Sequence, residues 1–304
     1  VVLLEAGPPD GEIWNGPKRL RRDTPGYDRK QLLIGAAGTL GVITAVALKL
    51  FPRLSSRAVA IAAVEDPHAA VRLLAAAKTS AGDMVEAFEL MGRPGLALAL
   101  KNIPGMREPL AEAYPCYVLA EFAAAEPGAA EAAMERFLAR ALEDGLILDA
   151  AVAQTEGQAR AFWALRENQS PAQKAEGPAW KHDVSVPVSR IADFMDEATG
   201  MLEERWPGVR VVAFGHVGDG NIHFDILGPV GGSADEHNAR RDAASRLVHD
   251  LVVSMGGSIS AEHGLGSMKT GEAMAYKSPV EVAALRAIRQ ALDPKRIMNP
   301  RVMF

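Results

Sequence analysis

Apolar positions along the chain follow two rhythms. Short apolar runs occur at VVLL (1–4), Leu32–Ile34, VITAVALKLF (42–51), AVAIAAV (58–64), CYVLAEFA (116–123), DVSVPV (183–188), VRVVAFGH (209–216) and IHFDIL (222–227). Runs of this length, bounded by Gly, Pro or polar residues, read as strands. Between them lie stretches with helical spacing: PHAAVRLLAAAK (67–78), GAAEAAMERFLARALEDG (128–145), IADFMDEATGMLEERW (191–206), DEHNARRDAASRLVHDLVVSMGG (235–257) and SPVEVAALRAIRQAL (278–292). In the second of these, Ala133, Phe137, Leu138 and Leu142 fall on one face, and Gly145 suits the C-terminal cap. Pro67 and Ser278 suit helix starts. Strands whose neighbours can pair antiparallel, alternating with helices, predict an α+β layer, built twice.

The first 53 residues are β-rich, with turns at GPPDG and GAAGTLG, and Pro52 suits a boundary. The expected division is 1–53 and 54–304. The chain opens VVLLEAGPPDGEIW, without Met and already inside an apolar run, so it reads as a C-terminal portion of a longer protein.

Composition narrows the function. The 304 residues are 48% hydrophobic and 23% charged, as in ordinary globular domains. A net charge of −5 argues against nucleic acid as the main partner, because phosphate binding needs a basic face. No apolar run reaches the ~18 residues of a membrane span. The one cysteine, Cys116, excludes an internal disulfide and suits a reducing compartment.

Four stretches carry candidate chemistry. GHVGDGNIHFD (215–225) sets His216 and His223 on either side of a glycine-rich turn, and histidine is the commonest metal ligand. A hairpin with two solvated imidazoles is the plain alternative. SISAEHGLGSMK (258–269) adds Glu262, which would complete a two-His, one-carboxylate set with an open coordination position. His263 beside it is of a residue type suited to general-base work; an acidic loop before a helix is the alternative. In WALRENQS (163–170) and KHDVSVP (181–187), Arg166 and Lys181 could clamp a carboxylate, or could be solvated charges. LIGAAGTLGVIT (33–44) has glycines at 35, 38 and 41 that let backbone approach a ligand, or simply turn. Its spacing is not the dinucleotide fingerprint, so it gives no support to an NAD site.

Together these stretches resemble the FAD-dependent D-2-hydroxy acid dehydrogenases, which include D-lactate dehydrogenase, the glycolate oxidase flavoprotein subunit and D-2-hydroxyglutarate dehydrogenase. The family patterns GSEGTLGVIT, GHxGDGNxH, SAEHGxGxxK and DPxxxxNPG are matched in order by GAAGTLGVIT, GHVGDGNIH, SAEHGLGSMK and DPKRIMNP. The resemblance implies a ferredoxin-like antiparallel-sheet cap over 54–304, preceded by the end of an α+β FAD-binding domain. It implies FAD and a divalent metal, zinc first and manganese second, held by His216, His223 and Glu262. It makes His263 the catalytic base. It places Arg166, Ser170 and Lys181 on substrate carboxylates, with Asp225 beside the substrate. Gly38, Thr39, Gly41, Ile43 and Asn299 match FAD-contacting positions.

The implied reaction is oxidation of a D-2-hydroxy carboxylate to the 2-oxo acid, with electrons passing to a separate acceptor such as a quinone or an electron-transfer protein. A glycolate oxidase subunit, or a fragment that holds metal and carboxylate but does not turn over without further FAD-binding residues, are the other readings. The resemblance further suggests a homodimer that is cytoplasmic or peripheral at the inner membrane. Departures are Ala36 and Ala37 in place of Ser-Glu, Pro25 within TPGYD, Arg301 after NP, and Asp225, a carboxylate that would repel a dicarboxylate.

Overall fold

The computed structural model describes residues 1–16 and 26–303, so Asp23, Thr24 and Pro25 of DTPGYD lie outside the described residues. The chain divides into two compact units. Residues 1–52 and 263–304 form one, and residues 53–262 form the other. The expected division at Pro52 had kept 263–304 with the second part.

In the first unit, β1 (Leu3–Gly7) pairs antiparallel with β2 (Trp14–Asn15) on one side and β3 (Val42–Ala47) on the other. The strand expected at Leu32–Ile34 is instead the end of a short helix, α1 (Arg29–Leu33). The preceding Arg29, Lys30 and Gln31 are good helix formers, and only Ile34 returns to extended backbone.

The second unit begins with β4 (Ser56–Val64), α2 (Pro67–Ala81), β5 (Val85–Gly92), α3 (Arg93–Asn102), β6 (Cys116–Ala124), α4 (Ala129–Glu143) and β7 (Asp149–Val152). It continues with α5 (Glu156–Glu167), α6 (Gln169–Ala172), β8 (Ala179–Ser185), α7 (Ile191–Arg205), β9 (Arg210–His216), β10 (Asn221–Leu227), α8 (Ala234–Ala239) and α9 (Arg241–Ser254). The strands form one antiparallel sheet in the order β7-β4-β6-β5-β9-β10-β8. Strands β4 to β7, with α2 and α4, trace a βαββαβ ferredoxin-like unit. Strands β8, β9 and β10, with α7 and α9, repeat it, and a single bridge from Ser258 to Ser185 stands where the fourth strand would be. The fold is therefore α+β and the layer is built twice. The repeats join where β5 meets β9, through Glu89↔His216, Leu90↔Gly215 and Met91↔Phe214.

One face of the sheet is largely apolar, with His182 buried in it and bonded to the Phe224 carbonyl and Ser245 Oγ. Phe88, Phe122, Trp180 and Phe224 pack there with Leu73 of α2, Phe137 of α4, Phe194 of α7 and Val248 of α9. Full burial of each large apolar side chain contributes about 1.5–3 kcal/mol. Pro67 opens α2 as expected, with Asp66 accepting from the Ala69 N–H at 2.7 Å. Helix α4 ends as expected at Gly145: the Leu146 N–H reaches the Ala141 carbonyl and the Gly145 N–H the Leu142 carbonyl. Leu142, expected on the buried face, is exposed, because Ala141 holds the place against the core. The helix expected over 235–257 breaks at Arg240. The Trp180 indole N–H takes the His237 carbonyl, which a continuous helix would give to Arg241.

The opposite face is divided. Over β4, β5 and β6 it is apolar, with Ile61, Met91 and Leu119 against Leu96 of α3 and Leu165 of α5. Helix α5 is also tied to the sheet by Glu121, which accepts two hydrogen bonds from Arg57 and one from the Trp163 indole. Over β9, β10 and β8 the same face carries His216, His223, Asp225, Lys181 and Asp183. No helix among the described residues is long and apolar enough to cross a membrane.

Candidate metal and carboxylate site

The turn between β9 and β10 sets the two histidines. The Asn221 N–H bonds to Asp219 Oδ1 at 3.1 Å, and Gly220 sits at φ +83°. A Cβ on Gly220 would lie 2.1 Å from the carbonyl oxygen of Val186, the residue whose N–H already donates to the Gly220 carbonyl. Gly220→Ala is expected to cost about 1–3 kcal/mol from backbone strain, plus whatever the collision adds. A denaturant titration of both proteins measures this.

The imidazole rings of His216 and His223 lie 5.7 Å apart, centroid to centroid. Glu262 offers one oxygen to each: Oε1 is 3.2 Å from His223 Nε2 and Oε2 is 3.7 Å from His216 Nε2. Behind His216, Nδ1 donates to Glu89 Oε1 at 2.7 Å. Behind His223, Asp183 Oδ1 lies 3.7 Å from Nδ1. Asp183 also accepts from the Glu262 N–H at 2.9 Å, from the Ala261 N–H and from the Asn221 amide, so it ties the Glu262 loop to the sheet. Ligand atoms of Asp183, His223 and Glu262 lie within 4.8 Å of one another.

Burial, with the nearby Arg166 charge, pushes the His223 imidazole down to about 4, so it is neutral near pH 7 and suited to donate a lone pair. His216 is shifted upward, chiefly by its hydrogen bond to Glu89. For Glu89, burial works upward but is outweighed by His216 and Arg166, which hold it below the usual carboxylate range.

The residues fit a divalent ion. His223, Glu262 and Asp183 offer the closely grouped ligand atoms, His216 Nε2 reaches the same Glu262 carboxylate at 3.7 Å from outside that group, and His216 is backed by a carboxylate in the way metal-bound histidines commonly are. The donor set is compatible with zinc or manganese.

The basic residues fall into two sets. Arg166, largely buried, donates from Nε to Glu89 Oε2 at 2.8 Å and lies over the Phe214 ring at 4.8 Å. Lys181 instead donates to Ser170 Oγ at 2.6 Å and lies 3.8 Å from Asp225 Oδ2. Asp225 is buried and accepts from Gln173 Nε2 at 2.8 Å. The Lys181–Asp225 pair sits two residues along the strands from the Asp183–His223 pair, a step of ~7 Å.

Glu89, Asp183 and Gln173 carry these contacts and were not singled out in the sequence.

In the first unit, helices α10 (Thr270–Tyr276) and α11 (Pro279–Leu292) lead to the terminal DPKRIMNP. Ser278 caps α11 as expected, accepting from the Glu281 N–H. Asp293 then accepts from the Ile297 and Met298 N–H groups, and Arg289 binds the carbonyls of Met298, Asn299 and Val302. This directs the Asn299 amide to the Ala37 carbonyl at 2.7 Å. The GAAGTLG turn is held from within by Thr39 Oγ1, which donates to the Ala36 carbonyl. Gly38 adopts φ +71° and Ala37, without glycine's freedom, φ +51°. Gly38, Thr39 and Asn299 therefore meet at one turn, and Gly41 leads from it into β3, where Ile43 is exposed. His263 begins the second segment of this unit, directly after Glu262 in the chain.

Residues 53–303 match the model of the FAD linked oxidases, C-terminal domain. The chain belongs to that family.

Curated relatives of this FAD linked oxidase chain include the mitochondrial D-2-hydroxyglutarate dehydrogenases of Arabidopsis thaliana, 36% identical over 99% of the chain, and of Bos taurus, 34% identical over its whole length. The D-2-hydroxyglutarate dehydrogenase of Xanthomonas citri is 34% identical, also over the whole chain. The chain spans 52%, 54% and 63% of those three relatives, respectively. Among solved structures it is similar to p-cresol methylhydroxylase with substrate bound, with a TM-score of 0.71 at 12% identity, over 98% of this chain and 64% of that one. Alkyldihydroxyacetonephosphate synthase gives a TM-score of 0.63 at 15% identity, over 99% and 54%. At these identities the likeness concerns the fold alone.

Proposed function

We propose that the chain carries the metal- and substrate-binding part of an FAD-linked D-2-hydroxy acid dehydrogenase. The observation that carries this reading is that His216 and His223 both face the Glu262 carboxylate, with Arg166 joined to His216 through Glu89. In this reading residues 53–262 are the core of the substrate cap, and residues 1–52 with 263–304 contribute to the flavin site.

A divalent ion would supply Lewis acidity toward the C2 hydroxyl, and FAD a hydride acceptor. His216, His223 and Glu262 hold the metal. Arg166 binds the substrate carboxylate next to C2. Lys181 and Ser170, one step along the sheet, face the far end of the substrate. His263 takes the hydroxyl proton. Gly38, Thr39, Gly41, Ile43 and Asn299 line the flavin. Electrons leave for a separate acceptor.

The test is a substrate panel on the full-length enzyme with an artificial electron acceptor. Glycolate, D-lactate, D-malate and D-2-hydroxyglutarate are compared before and after chelation. Turnover of at least one D-2-hydroxy acid, lost with chelator and restored by zinc or manganese, is the expected result. Turnover that survives exhaustive chelation rejects the metal-dependent reading.

A further inference from the structure

Glu89 belongs to the first ferredoxin-like repeat, whereas His216, His223 and Glu262 all follow from the second. Its side chain is 5% exposed, so both oxygens need partners inside the protein. The partners come from opposite sides. Oε1 accepts from His216 Nδ1 at 2.7 Å and Oε2 accepts from Arg166 Nε at 2.8 Å. A proton held on Nδ1 by a carboxylate fixes the tautomer in which Nε2 carries the lone pair. Nε2 is the atom that faces Glu262. A guanidinium bonded through Nε and laid over the Phe214 ring is fixed in plane and direction, which leaves its orientation little freedom.

We propose that Glu89 is a positioning residue that orders the metal ligand His216 and the carboxylate-binding Arg166 together, so that the two subsites of the site stand or fall as one. This rests on the metal reading above. A purely structural role, anchoring α5 to the sheet, would leave the His216 tautomer alone, and Glu121 already anchors that helix through the Trp163 indole.

The experiment uses the full-length enzyme and its Glu89→Gln variant. Nitrogen-15 spectra of the metal-free proteins, at a pH where His216 is neutral, read its tautomer. Zinc affinity is read by competition with a chromophoric chelator, and binding of 2-oxoglutarate at zinc saturation by calorimetry. In wild type the Nδ1–H form is expected to dominate. In Glu89→Gln that preference should fall, zinc should bind about 10- to 100-fold more weakly, and 2-oxoglutarate should weaken at least several-fold. Glu89→Asp keeps the charge but shortens the arm; it should weaken both ligands too, and it serves if the glutamine variant does not fold. An unchanged tautomer with zinc affinity within twofold of wild type overturns the proposal. Loss of zinc alone, with 2-oxoglutarate unaffected, overturns the coupling. Wild-type protein that binds no zinc rejects the metal reading itself, a separate outcome.

Discussion

Glu262→Ala should lower zinc affinity by more than 100-fold and abolish turnover of the full-length enzyme. The reasoning is geometric. Glu262 is the group that faces both histidines, at 3.2 and 3.7 Å. Loss of an outer partner of a metal ligand typically costs 10- to 100-fold in affinity, so loss of a ligand costs more. Folding should survive, because the Glu262 side chain is half exposed and Asp183 holds the loop through main-chain N–H groups. His263→Ala provides the contrast. It should abolish turnover while zinc still binds and flavin absorbance is retained. Zinc titration and dye-reduction rates on the two variants separate a ligand from a base. If Glu262→Ala binds zinc as wild type does, the assignment of the metal site is wrong. If His263→Ala loses zinc instead, His263 is a ligand and the base lies elsewhere.

The second large effect concerns substrate choice, and it falls on Asp225. The sequence suggested a carboxylate that would repel a dicarboxylate. The structure gives that carboxylate partners: it is buried, bonded to Gln173 and 3.8 Å from Lys181. Two opposite unit charges about 4 Å apart attract by about 1 kcal/mol in water and about 4 kcal/mol near a protein surface. Lys181 is half exposed, so the lower part of that range applies. Asp225 thus offsets the charge that a distal substrate carboxylate would seek. Asp225→Asn keeps the shape and the Gln173 hydrogen bond and removes the offset. The ratio of kcat/KM for D-2-hydroxyglutarate over D-lactate should rise by about five- to tenfold, the factor that ~1–1.4 kcal/mol corresponds to. An unchanged ratio would make Asp225 a structural partner with no part in selectivity.

Much of this was legible from one chain. Strands β4, β6, β9 and β10 were visible because each is a short apolar run between turn residues; of β8 only the last three residues fell in the run expected over 183–188, because its earlier half carries Lys181 and His182. Strand β5 was not. Glu86 and Glu89 interrupt its apolar pattern, and Glu89 is tolerated there because His216 and Arg166 satisfy it. Helix α3 was hidden by its opening RPG, which resembles a turn. The three suggested metal ligands were legible because glycine-rich motifs flank them. Their partners Glu89 and Asp183 were not, because a buried acid in a strand has no local signature. Only the cross-strand register brings Glu89 opposite His216, 127 positions away. Likewise nothing local revealed that Arg166 and Lys181 answer to different carboxylates.

The join between β5 and β9 involves three opposed residue pairs, and one of them is Glu89 with His216. The halves of the sheet resemble each other in path but not in content. One half brings the histidines and the other brings the acid that orients one of them. This arrangement exists only across the join of the two repeats, where Leu90, Met91 and Phe214 also belong to the buried clusters, so the seam that orders the acid and the imidazole is the seam that packs the sheet.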